Sequence, residues 1–174
     1  MSKVFQRPEK GDFNPYYEPY INLVPDGDIC EILAEQKEES LELFAGLTED
    51  QWDYAYAPGK WTIREIFMHM MDAERVFCYR ALRISRGDQT PLAGFDQDAY
   101  VPTSEASNRS TASMLDEYRA LRASTVALLK NFSPEMFDRA GTASDSRVTV
   151  RALSYIIVGH ERSHLLSIKE KYLS

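Results

Sequence analysis

The chain has 174 residues, a length that suits one domain with a core of its own. Its net charge of −7, with no basic patch, argues against a nucleic-acid partner. No apolar run reaches a membrane span and residues 1–11 hold no apolar signal core, so a cytoplasmic protein is expected, with Cys30 and Cys78 reduced.

Residues 1–27 are broken by Pro8, Pro15, Pro19 and Pro25, yet Phe5, Phe13, Tyr16, Tyr17, Tyr20, Ile21 and Leu23 are too apolar for a solvated tail. An extended N-terminal arm packing its aromatics over the rest is expected. The domain proper then spans residues 28–174. A first helix should start at Asp28, whose carboxylate can accept from the first turn. Its apolar stripe is Ile29, Ile32, Leu33, Leu43, Phe44 and Leu47, and it is interrupted by Gln36 and Ser40. Those two line a cavity or form a buried network.

Residues 48–60 read as a connection with a short helix anchored by Trp52. Thr62 and Glu65 have capping-box spacing for a second helix, which carries His69 among Ile66, Met70 and Ala73. Asp72 follows His69 by three residues and could orient its imidazole. Residues 85–107 form a long connection, and connections of that length are often functional. A third helix starts near Asn108 or Ser110 and carries Tyr118 and Arg122, the arginine pointing into a cavity or snorkelling outward. Ser133 and Pro134 open a short turn, residues 141–147 read as a loop, and a fourth helix follows Thr149. The reading is all-α: a four-helix bundle with long crossover connections and the N-terminal arm.

The chain has three histidines, and each lies on a core-facing helical stripe. His160 and His164 are one turn apart on Val150, Leu153, Ile157, His160, His164, Ile168. With His69 from another helix they can form a three-imidazole site for a divalent metal such as zinc or nickel. Three neutral ligands leave the ion's charge uncompensated and coordination positions open, which is the pattern of a catalytic site. His160-Glu161-x-x-His164 also matches a metalloprotease signature, but Ser167 and Glu170 stand where its extended form needs glycine and histidine. Glu161 remains a candidate base, with Asp72 as a second candidate.

The segments Lys60–Ile66 leading to His69, Gly94-Phe95-Asp96, Tyr118–Arg122 and His160-x3-His164 together resemble the DinB/YfiT-like superfamily of four-helix metalloproteins. The arm, with Arg7-Pro8-Glu9 and Tyr16-Tyr17, is similar to members of that group. The resemblance implies that His69, His160 and His164 are metal ligands, that zinc or nickel is the metal, and that a homodimer forms. It implies either activation of a low-molecular-weight thiol by a transferase or activation of water by a hydrolase. Gln36, Ser40, Tyr118 and Arg122 are expected to face a small-molecule pocket. A non-catalytic metal-binding stress or carrier protein is the competing expectation.

Overall fold

The computed structural model of the chain describes residues 6–174; Phe5 of the expected arm lies outside them. In chain order the helices are α1 (Glu18–Asn22), α2 (Ile29–Ala45), α3 (Glu49–Trp52), α4 (Ile63–Ser85), α5 (Gln97–Thr103), α6 (Thr111–Lys130), α7 (Pro134–Asp138) and α8 (Val150–Lys171). Strands β1 (Ala140–Ala143) and β2 (Ser146–Thr149) form a hairpin between α7 and α8. The four long helices make the bundle. Both α2 and α4 pack against α6 and α8, so α2 and α4 stand at opposite corners. The links through α3, and through α7 with the hairpin, therefore cross the bundle.

Local chemistry fixes the helix starts. The Asp28 carboxylate accepts from the Cys30 amide at 2.8 Å. Thr62 and Glu65 form a reciprocal capping box. Ser110 caps α6 and Thr149 caps α8, each through a side-chain oxygen that accepts a first-turn amide. No helix among the described residues is long and apolar enough to cross a membrane.

Two stretches depart from the sequence reading. The arm is not wholly extended: Pro15–Tyr17 form a 3₁₀ turn that leads into α1. Pro15 and Pro19 sit at the first positions of these turns, where a missing N–H removes no hydrogen bond. Arg7 then ties the arm down. Its guanidinium donates to the carbonyls of Ile21 and Val24, each at 2.7 Å, and lies over the Tyr155 ring. α1 runs along α8 so closely that a Cβ on Gly159 would lie 2.0 Å from the Tyr20 carbonyl oxygen. Only glycine fits there.

The expected loop at 141–147 is the β1–β2 hairpin. Its two turn residues, Ser144 and Asp145, take φ of 50° and 57°. That left-handed pair is usually announced by Asn-Gly or Asp-Gly, and the turn here carries Ser-Asp in their place. Tertiary contacts hold it instead. Leu92 exchanges backbone hydrogen bonds with Thr142 and Ser144, and buried Arg80 donates to the Ser144 hydroxyl at 2.9 Å.

The core divides into two apolar clusters. One gathers Ile29, Leu33, Phe77, Ile84, Leu153 and Ile157. The other gathers Phe44, Trp52, Phe67, Met71, Tyr118 and Ile168. Between them every long helix contributes buried polar residues: Gln36 and Ser40 from α2, His69 and Glu74 from α4, Arg122 and Thr125 from α6, His160 and Glu161 from α8. This polar layer holds the candidate site.

Candidate metal centre and its clefts

His69 is placed by α4, and His160 and His164 by consecutive turns of α8. The Nε2 atom of His160 lies 3.1 Å from that of His69 and 3.2 Å from that of His164. One ligand nitrogen from each residue falls within 4.8 Å of the others. Trp61 packs against the His69 ring at 5.0 Å between centroids. Burial pushes the His69 imidazolium down to about 4 and that of His164 to about 3. His160 is lowered further in the same direction by burial, then by its two imidazole neighbours. All three are therefore neutral near pH 7.

The donor set fits a divalent cation. A neutral imidazole nitrogen is either an N–H or a lone pair. The single Nε2 of His160 faces two others, so at most one of these contacts can be a well-formed hydrogen bond. A cation reached by three lone pairs removes that conflict. Zinc–nitrogen bonds of about 2.0–2.1 Å at tetrahedral angles separate two ligand nitrogens by about 3.3 Å, close to the spacings around His160.

Two clefts reach this point from different sides. One, of about 240 Å³, ends on His160 and is walled by the arm tyrosines, Phe77 and Phe95. The other, of about 290 Å³, ends on His164 and contains Lys60, Trp61, Asp98 and Tyr172. The start of α5 lies between them, since Gln97 lines the first cleft and Asp98 the second. The negative charge of Asp98 also acts on His69. The arm tyrosines, Phe95, Gln97 and Asp98 sit on the arm and the long connection, where hydrophobic periodicity is silent.

A second polar cluster lies beside the triad. Arg122 is fully buried and donates to both Glu74 oxygens, at 2.9 Å from Nη2 and 3.0 Å from Nε, and through Nη2 to Glu161. The other Glu161 oxygen accepts from Ser40 at 2.6 Å and Tyr118 at 2.7 Å. Thr125 donates to Glu74 at 2.5 Å. Gln36 donates to the Val158 carbonyl at 3.3 Å. Of the residues expected in a substrate pocket, then, Gln36, Ser40, Tyr118 and Arg122 line neither cleft. A buried ionic group is most stable with its lone pairs and protons matched, and here the matching partners are one another. Glu161 is bound within the same network. Asp72 pairs at 3.8 Å with Arg75, which bridges to Glu117 on α6. Burial raises the Asp72 carboxyl above its usual range. The sequence reading missed Glu74, although Met70, Glu74, Phe77 and Ala81 share one helical stripe.

The superfamily model for DinB matches residues 32–168. The chain belongs to the DinB superfamily. A Bacillus subtilis (strain 168) protein named "Putative metal-dependent hydrolase YfiT" is 24% identical over 127 residues, which is 71% of each chain. The solved structure of YfiT from Bacillus subtilis, described as a four-helix bundle of unusual topology, superposes with a TM-score of 0.70 at 19% identity. That superposition covers 95% of this chain and 90% of the other, and it shows a shared fold. As a DinB-superfamily member, the chain matches the family resemblance drawn from Lys60–Ile66 and His160-x3-His164.

Proposed function

We propose that this DinB-superfamily protein is a divalent-metal-dependent hydrolase of small molecules, with His69, His160 and His164 as ligands. The observation that carries the reading is the convergence of three neutral imidazole nitrogens, two buried and that of His164 half-buried, where two clefts meet. The name of the YfiT relative points the same way. Three nitrogen donors suit zinc or nickel. Such a metal, when bound, lowers the pKa of its water toward neutrality and so supplies a nucleophile.

The chain's own groups do the rest. Trp61 fixes the His69 ring by packing on it. The network of Arg122, Glu161, Ser40 and Tyr118 holds α8 so that His160 and His164 stand opposite His69. Asp98 is the carboxylate that lies in a cleft with a histidine of the triad and acts on another, so it is the group best placed to accept a proton. Glu161 and Asp72 are committed to arginines. That leaves Glu161 as a positioning residue and Asp72 as a half-buried partner of Arg75.

A second nucleophile is compatible with the same site. Lys60 lies in the cleft that ends on His164 and could pair with the carboxylate of a low-molecular-weight thiol, giving thiol transfer in place of hydrolysis. The family resemblance supports the wider reading of a cytoplasmic homodimer.

The test is metal content after purification without a histidine tag, followed by ester and amide hydrolysis with and without added thiol. One equivalent of zinc or nickel in the wild type, absent from His160→Ala, is expected, together with thiol-independent hydrolysis that falls at least tenfold in Asp98→Asn. No metal, and no binding of added zinc or nickel, would overturn the reading. Metal binding with turnover only in the presence of thiol would transfer the assignment to the transferase.

A further inference from the structure

The cleft that ends on His160 has walls the chemistry above does not use. Tyr16, Tyr17 and Tyr20 come from the arm, Phe77 from α4 and Phe95 from the connection before α5. Their rings continue outward from the triad in edge-to-face contacts. Tyr20 lies 5.6 Å and Phe77 5.8 Å from His160 between centroids, Tyr16 6.1 Å from Tyr20, and Tyr17 6.2 Å from Phe77. Edge-to-face geometry at these distances is the favoured arrangement of aromatic pairs. The remaining lining is Ala73, Gln97 and Ser144, so no residue of this cleft brings a formal charge near pH 7. The phenols of the three tyrosines are neutral near pH 7.

The second cleft differs in chemistry: it holds the ammonium of Lys60 and the carboxylate of Asp98. Size also separates classes of ligand. A dry cavity of about 150 Å³ accepts benzene. The His160 cleft, at about 240 Å³, has room for one ring and a short polar linker.

We infer that this cleft recognises a neutral, single-ring aromatic group of the substrate and holds it with the adjoining polar bond against His160. The inference rests on the metal reading for the position of the reacting bond. An anionic ring would meet no cation on these walls, and an organic cation would meet no carboxylate and would face the divalent ion. The arm is thus a working wall of the site. Gly159 and Arg7 are what bring it there, by allowing the Tyr20 carbonyl onto α8 and by closing the end of α1. The three tyrosines lie outside the span 32–168 that matches the superfamily, and Phe77 and Phe95 lie within it, so the cleft is built partly from a segment outside that span.

The experiment is calorimetric titration of the zinc-loaded full chain with benzohydroxamic acid and with acetohydroxamic acid, which share a metal-binding head and differ in the ring. Benzohydroxamic acid is expected to bind at least tenfold tighter. Tyr20→Leu should erase that preference and exposed Tyr16→Ala should reduce it severalfold, with acetohydroxamic acid unaffected in both. In parallel, fluorine NMR of the metal-free protein follows 4-fluorobenzamide, with a benzyltrimethylammonium competitor. Binding of 4-fluorobenzamide that Tyr16→Ala weakens upholds the cleft even where zinc does not bind, in which case the metal reading alone fails. Equal affinity for the two hydroxamic acids on a zinc-loaded protein overturns the cleft assignment and leaves the metal reading standing. Absence of binding by every aromatic probe, or tighter binding of the ammonium ion than of the neutral ring, also overturns it.

Discussion

Two polar clusters sit side by side in the middle of this bundle, and helix α8 feeds both. Glu161 joins Arg122, Glu74, Ser40, Tyr118 and Thr125 in a network whose charges are matched inside the protein. Its neighbour in sequence, His160, joins His69 and His164 in a group whose nitrogens converge without a matching set of protons. The first cluster is sealed between two apolar cores. The second opens on two clefts. Burial of polar residues alone does not distinguish a site from a brace. What separates them is whether the donors and acceptors balance without a ligand.

The sharpest way to test the contrast is to remove the arginine. Arg122→Ala leaves two buried carboxylates without their cation and should destabilise the fold by about 3–5 kcal/mol. For a domain of this size that is a fall in Tm on the order of 10 °C, measured by thermal denaturation of the metal-free protein. A change of about 1 kcal/mol or less would show that the network is not a brace.

The triad should respond to metal instead. Zinc at a hundredfold excess over its Kd should stabilise the wild type by about 2.7 kcal/mol. His160→Ala should show no such rise in the same thermal scan. A rise that survives the substitution would place the metal elsewhere.

Gly159→Ala tests the link between the arm and the site. Its Cβ would meet the Tyr20 carbonyl oxygen at 2.0 Å, so α1 must move off α8. The expected loss is about 1–3 kcal/mol, with faster proteolytic cleavage in residues 6–27 and retained zinc binding. Unchanged proteolysis would mean that the arm is not held by this contact.

The last test is the effect of pH on the metal-free protein. The folded pKa values of His69 and His164, about 4 and about 3, lie below the ordinary 6.5. The unfolded chain therefore binds more protons than the folded one below that value. Stability should be full above pH 6.5 and decline as pH falls toward 4 and then 3. A variant with all three histidines replaced should show a shallower decline in chemical denaturation. Equal slopes would mean that the imidazoles are not held neutral by burial.

Much of this was legible in the sequence because it is local. Asp28, Thr62, Ser110 and Thr149 each cap a helix through an amide two or three residues away, so the capping signal and its outcome share one turn. His160 and His164 share a face for the same reason, and the stripe around His69 told which way that imidazole turns. Three features became clear only in the fold, because each needs partners far apart in the chain. Arg122 could face a cavity or solvent until Glu74, 48 residues before it, and Glu161, 39 after it, accepted its hydrogen bonds. Ser144 and Asp145 form a tight turn that their residue types do not announce, held by Arg80 and Leu92. The arm's tyrosines read as aromatic cover, and only their placement against His160, permitted by the missing side chain of Gly159, made them the wall of a cleft. Sequence determined the helices and which residues could hold a metal. The tertiary structure decided which polar residues were braced against one another and which were left open to a ligand.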